Sequence, residues 1–301
     1  MSVRFAPSPT GAFHVGNFRT AWISHWWARR LGLPWVVRFE DIDAPRVVPG
    51  ARERQLAEMQ ALGLKADRVE LQSEFHARHF EVFLRAARDG KVYPCFCSRK
   101  DVREALEGAA SAPHRPVPIY SGRCRAVGAD ARAARSEECG LPSLAWRFKA
   151  DDPSGEGDFI VARTSTELGS GGAPGPESFV PAYNWACAID DLDGAHKLLV
   201  RAWDLANVVE QQRAIQRYAA AGAWQPQAVF HCALVVQESG ERLEKRTQGV
   251  TLPELLGRGI AHAGLVTRFE RSFDASVAGA FAPGAVFGEA RETLKLSELG
   301  L

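Results

Sequence analysis

Short apolar runs and amphipathic stretches alternate along this chain. Residues 3–6 are a brief apolar run the length of a buried strand, and from Val15 the residues Val15, Phe18, Trp22 and Trp26 recur at helical spacing. Residues 34–39 read as a second strand. Gly50 precedes a helix over 51–62 with Leu56, Met59 and Leu62 on one face, and 76–88 is a further helix with Phe80, Phe83 and Leu84 inward. Beyond these, 144–149, 157–163, 197–201 and 229–234 are strand-like and 210–221 is helical. Strands alternating with helices predict an α/β fold with a parallel sheet, whose ligands sit beyond the carboxyl ends of the strands. The stretch 169–176 holds too much Gly and Pro for a regular element and is expected to be a surface insertion.

Composition narrows the class without fixing it. The 301 residues suffice for one large domain with an insertion, or for two. Apolar residues make up 46% and charged residues 24%, as in ordinary globular proteins. No run of about 18 apolar residues suggests a membrane span, and the N-terminus lacks the pattern of a secretory signal, so a cytoplasmic location is expected. A net charge of +1 excludes a globally basic nucleic-acid binder. It leaves room for a local patch at Arg115, Arg123, Arg125, Arg132 and Arg135, or for those arginines forming a solvated loop.

The candidate chemistry starts at residues 4–17, R-F-A-P-S-P-T-G-A-F-H-V-G-N. A strand, a tight turn and a helix entrance follow one another, and free N–H groups at a helix start suit phosphate. His14 can donate to a phosphate oxygen, and Gly16 removes a side chain where a ligand could meet the backbone. The pattern is neither a P-loop nor a dinucleotide fingerprint. Glu40 follows the second strand and could share the pocket. Arg201 closes the strand 197–201, where it could take a carboxylate or pair with Asp204. Cys95 and Cys97, with Cys124 further on, have the character of a structural zinc site. Tyr120, His114 and Cys139 compete for the fourth position. Cys187 and Cys232, in apolar surroundings, read as core residues.

A-P-S-P-T-G with H-V-G-N resembles the first signature of the class I glutamyl-tRNA synthetase family. His14 matches its first His and Asn17 stands at its second. R-F-E-D-I-D-A-P-R at 38–46, C-x-C…Y-x-x-x-C, Y-N-x-A-x-x-x-D-D from Tyr183, and V-R-x-x-D-L from Val200 extend the resemblance over about residues 1–260. It implies a class I Rossmann-type catalytic domain in two halves, 1–94 and 151–252. A zinc-binding insertion at 95–150 and a short helical region at 253–301, without an anticodon-binding domain, complete the expected layout. It further implies that Arg4, Ser8, Glu40, Tyr183 and Arg201 hold L-glutamate. His14, Gly16, Asn17, Arg242 and Lys245 would bind ATP, with His14 and Lys245 catalytic. The zinc ligands would be Cys95, Cys97, Tyr120 and Cys124. The ATP loop, K-L-S-K in the family, reads R-L-E-K here, which places Glu244 beside phosphate. Short members of the family attach glutamate to queuosine in the anticodon of tRNA(Asp). The expected partners are therefore L-glutamate, ATP with Mg2+, and queuosine-bearing tRNA(Asp), with no membrane and a monomeric protein. A truncated enzyme charging the tRNA 3′ end, or a non-catalytic paralogue binding RNA or an amino acid, would share the same motifs.

Overall fold

The structure is a computed structural model that describes residues 1–97, 120, 122–127, 143–151, 157–165, 175–243 and 250–301. These fall into two compact units, one of residues 1–74, 190–213 and 220–301, the other of 75–189 and 214–219.

The first unit is built on a six-stranded parallel sheet. Its strands are β1 (Val3–Phe5), β2 (Trp35–Phe39), β3 (Arg68–Leu71), β8 (Leu198–Ala202), β9 (Ala228–Cys232) and β11 (Val286–Gly288), in the order β11-β9-β8-β1-β2-β3. The strand order reverses between β1 and β8. In a doubly wound sheet that crevice, at the carboxyl ends, is where ligands bind. Period-2 alternation divides the two faces. Val3, Phe5, Trp35, Val37, Phe39, Leu198, Val200 and Phe230 enter the main apolar core. Arg4, Arg38, Arg201 and His231 alternate with them and so point to the opposite face, all buried. Helix α1 (Val15–Leu31) packs its Phe18, Trp22, Ile23 and Trp27 into the core and stops at Gly32 in the left-handed conformation, φ 62°.

The chain after residue 252 does more than add helices. Leu252–Gly257 and His262–Ser272 are helical, but Val286–Gly288 forms the sheet edge beside β9. Buried Arg19 ties α1 to this segment, with Nη1 and Nη2 on Glu289 at 2.7 and 2.6 Å.

The second unit carries an antiparallel four-stranded sheet of β4 (Val92–Cys95), β5 (Ser143–Phe148), β6 (Phe159–Ser165) and β7 (Phe179–Pro181). It therefore extends on both sides of the 95–150 insertion read from the motifs. Among the described residues, no helix is long and apolar enough to cross a membrane. Arg115, Arg132, Arg135, His114, Cys139, Glu244, Lys245 and residues 169–174 of the Gly/Pro-rich stretch lie outside the described residues.

Candidate functional site

The turn between β1 and α1 is braced by backbone. Glu40 N–H donates to Pro7 O at 2.9 Å and Val48 N–H to Pro9 O at 3.0 Å. A third brace escapes sequence reasoning. Gln55, 1% exposed on helix α2 (Ala51–Ala61), donates Nε2–H to Gly11 O at 2.7 Å and lies 3.4 Å from Ser8 O. The signal was a polar residue on the face that carries Met59.

His14 is the N-cap of α1. Its Nδ1 accepts the Gly16 N–H at 3.2 Å, and Asn17 Oδ1 accepts the His14 N–H at 3.1 Å. Burial pushes the imidazole pKa down to about 4, so the ring is neutral near pH 7. With Nδ1 accepting, the proton of the neutral ring resides on Nε2, leaving a donor for an anion. Glycine at position 16 also suits the local packing. A Cβ there would meet the His14 ring at 3.1 Å and Val235 Cβ at 3.3 Å.

The R-L-E-K segment is flanked by anchored backbone. Val236 bridges Arg242 on one side. On the other, Thr251 bridges His14, and the Val15 N–H donates to Val250 O at 2.8 Å. Arg242 also pairs with Asp204 at 3.3 Å, largely in solvent.

The charged face of the sheet holds a buried ion network. Asp191 receives Arg4 at both carboxylate oxygens, Nε at 3.0 Å and Nη2 in a shorter contact, while Arg38 Nη1 lies 2.8 Å from Oδ1. Arg38 also approaches Asp190 at 3.7 Å and Glu40 at 3.6 Å, and Gln72 donates to Asp190 at 2.7 Å. Burial would raise the Asp191 pKa, yet Arg38 and then Arg4 overcome it and hold the carboxyl well below its usual range. Two guanidiniums, Arg4 and Arg38, thus face the carboxylates of Asp190, Asp191 and Glu40. The structure thus places Arg4 in a bidentate pair, and the partner, Asp191, was not separable by sequence from its neighbours. Arg201, 5% exposed, donates Nη1–H to Gln212 Oε1 at 2.7 Å. Ser8 lies in the braced turn. Tyr183 begins the helix Tyr183–Asp193 and belongs to the second unit.

In that second unit, Cys95, Cys97 and Cys124 bring their sulfurs within 4.8 Å of one another. Cys97 Sγ and Cys124 Sγ are 3.6 Å apart, and Cys95 Sγ is 3.7 Å from Tyr120 Oη. Two sulfurs each about 2.3 Å from a tetrahedral ion would be separated by about 3.8 Å, so the spacing fits shared coordination. Tyr120 Oη also accepts the Cys124 N–H at 2.7 Å. Arg147 donates Nε–H to Cys95 Sγ at 3.2 Å and stacks over the Tyr120 ring at 3.6 Å. A positive charge therefore stands beside donors that become anionic on metal binding. The cluster is a candidate metal centre.

Residues 1–260 match the family described as tRNA synthetases class I (E and Q), catalytic domain. The chain is 35% identical over 265 residues to the Glutamyl-Q tRNA(Asp) synthetase of Nocardia farcinica, covering 83% of this chain and 78% of that protein. It is 34% identical to the protein of the same name from Synechococcus sp., over 88% and 80% of the two chains. Among solved structures, glutamate-tRNA synthetase from Elizabethkingia anophelis shares the fold, with a TM-score of 0.61 at 20% identity over 82% of this chain. The chain spans about half of that structure, 53%. On the family match and the identity to these relatives, the chain belongs to the class I tRNA synthetases of the E and Q type, which are ligases.

Proposed function

We propose that this enzyme activates L-glutamate with ATP and transfers it to queuosine in the anticodon of tRNA(Asp), acting in the cytoplasm as a monomer. The observation that carries the activation step is the direct backbone pairing of Thr251 and Val250, at the exit of the R-L-E-K loop, with His14 and Val15 at the start of α1. It ties the two sequence segments expected at the triphosphate to one another. The choice of acceptor rests on the relatives named Glutamyl-Q tRNA(Asp) synthetase.

An oxygen of the glutamate α-carboxylate attacks the ATP α-phosphorus, and the bond to the departing pyrophosphate breaks. A hydroxyl of the queuosine ring then attacks the activated carbonyl and AMP leaves. The first step spreads negative charge onto pyrophosphate, so positioning and positive electrostatics are its catalysts. His14 contributes the Nε2–H donor, Gly16 and Asn17 contribute the α1 terminus, and Arg242 and Lys245 contribute charge. Mg2+ bound to ATP would supply further positive charge against the triphosphate. Glu40 takes the ammonium and Arg201 the side-chain carboxylate, with Ser8 in the braced turn. Arg4, anchored by Asp191, adds its charge to the wall, and Tyr183 enters from its motif alone. Cys95, Cys97, Cys124 and Tyr120 are proposed to hold zinc, which cross-links the segment on which they lie.

Charging assays with queuosine-containing and queuosine-lacking tRNA(Asp) test the acceptor. Glutamate incorporation that depends on queuosine is expected, and equal charging of unmodified tRNA(Glu) would replace this reading with the 3′-end reaction. Lys245→Ala tests the loop and is expected to depress ATP–pyrophosphate exchange far more than glutamate binding.

A further inference from the structure

Helix α1 and the stretch that leads into the R-L-E-K segment share a partner from the far end of the chain. After β9 the single residue Ala233 precedes a short strand, β10 (Leu234–Val236), and Val236 at its end bridges Arg242. Strand β10 lies against the first turn of α1, since a Cβ at Gly16 would stand 3.3 Å from Val235 Cβ. The helix start proposed to face the triphosphate therefore packs on the strand that runs into the loop.

Residues 286–299 hold both. Strand β12 (Thr293–Lys295) pairs in parallel with β10, and Leu234 N–H donates to Glu292 O at 2.8 Å. Glu289, 7% exposed, reaches each side with one carboxylate. Its Oε1 accepts Arg19 Nη2–H at 2.6 Å. Its Oε2 accepts Arg19 Nη1–H at 2.7 Å and Ala233 N–H at 2.7 Å. The Glu289 N–H in turn donates to His231 O at 3.0 Å. Arg19 lies three residues beyond Gly16 on α1 and is buried. It also donates Nε–H to Ser272 Oγ at 2.9 Å and Nη2–H to Ser272 O at 3.0 Å, at the end of the helix His262–Ser272.

A fork-on-fork guanidinium–carboxylate pair fixes direction as well as distance. Two apolar side chains of similar volume would serve stability equally well. What they would not do is bind a backbone N–H at the β9–β10 junction and the side of α1 through the same group.

We infer that Glu289 is a positioning residue for the ATP subsite: through Arg19 and the Ala233 N–H it sets the spacing between the start of α1 and β10. The end of the chain then takes part in the activation step without touching nucleotide. This rests on the proposed seat of ATP at His14 and Gly16, and goes beyond it by giving residues 286–299 a task in that step.

The test compares the wild-type full chain with Glu289→Gln, the double variant Arg19→Met/Glu289→Met, and His14→Ala. ATP–pyrophosphate exchange gives kcat and KM for ATP, calorimetry without ATP gives glutamate affinity, and a melting curve gives stability. Glu289→Gln keeps an oxygen for Ala233 but turns an amide NH2 toward the Arg19 fork. It is expected to raise KM for ATP about fivefold or more, with glutamate affinity within about twofold of wild type. The double variant fills the same space with apolar side chains, so it is expected to keep the melting temperature and still raise KM for ATP. A wild-type KM for ATP in either folded variant overturns the positioning role. So does an equal loss of affinity for glutamate and ATP, or failure of both Glu289 variants to fold. If His14→Ala raises KM for ATP and the Glu289 variants do not, the seat of ATP at α1 stands and only the role of Glu289 falls. If His14→Ala leaves KM for ATP unchanged, that seat is wrong and the role of Glu289 falls with it.

Discussion

The two units hold their chemistry by opposite means. In the first, the turn after β1 is fixed by Glu40, Val48 and Gln55, and the buried charges of Arg4 and Arg38 meet Asp190, Asp191 and Glu40. Each of those contacts joins one protein group to another. In the second, three sulfurs and a phenol converge on one point, through long sulfur contacts and the Cys124 N–H bond to Tyr120. Convergence of groups that ionise as thiolates is repulsive unless a cation shares them. One region is therefore held by contacts within its own chain, and the other is a cluster that a shared metal ion would order.

The largest expected effect breaks the second arrangement and spares the first. Structural zinc contributes on the order of 10 kcal/mol or more of apparent folding energy in small zinc domains. Cys97→Ala is expected to lose stoichiometric zinc by metal analysis and to lose hydrogen-exchange protection in β4 and β5 before protection in β1, β2 and β8 declines. Unchanged protection in β4 and β5 after metal removal would erase the contrast.

The next effect attacks the first unit from inside. Asp191→Ala strips the carboxylate from two buried guanidiniums and is expected to cost about 3–5 kcal/mol in urea unfolding. Because the folded Asp191 pKa is depressed, its contribution is present above the unfolded carboxylate pKa and persists until pH falls through the lower folded value. The pair is thus expected to survive mild acid, and an Asp191→Ala penalty that vanished by pH 5 would show that the network carries little.

These two regions were not equally legible. The cysteine cluster and the signature turn were readable because Cys-x-Cys spacing and a Pro/Gly-punctuated strand–helix junction are local patterns. Burial of Cys187 and Cys232 followed from their apolar neighbours. Asp191 as partner of Arg4 was not readable, since the two are 187 positions apart and Asp190 beside it looks identical. Gln55 and Gln212 were missed for the same reason: a buried amide is recognised only by the atom it meets. The edge strand Val286–Gly288 is three residues long, too short for periodicity to register, and its place is set by pairing with β9.

A third, smaller effect comes from the histidines of the first unit. Burial pushes His14 and His231 down to about 4 and His196 to about 3, below the unfolded value near 6.5. The unfolded chain then binds more protons than the folded one, so stability rises with pH through this window and is lost as pH falls from about 6.5 toward 4. At pH 6 each site is expected to remove about 1 kcal/mol or less relative to pH 8. Urea midpoints at pH 8, 6 and 5 measure this. A flat profile would mean that these rings take up protons as readily in the folded state as in the unfolded one.

The smallest stability effect is expected at Gln55, and it separates holding a turn from holding the fold. Gln55→Leu removes the 2.7 Å bond to Gly11 O, worth about 1 kcal/mol. It also removes a buried Oε1 that has no partner among the described residues, which offsets part of that loss. The net change in unfolding free energy is therefore expected to stay within about 1 kcal/mol. The turn itself loses its side-chain brace while the two backbone braces remain, so Ser8 gains freedom where glutamate is proposed to bind. Glutamate affinity is expected to fall by about threefold, read by calorimetry beside a melting curve that scarcely moves. A large drop in melting temperature with glutamate affinity intact would place Gln55 in the packing of α2 and return the turn to its backbone braces alone.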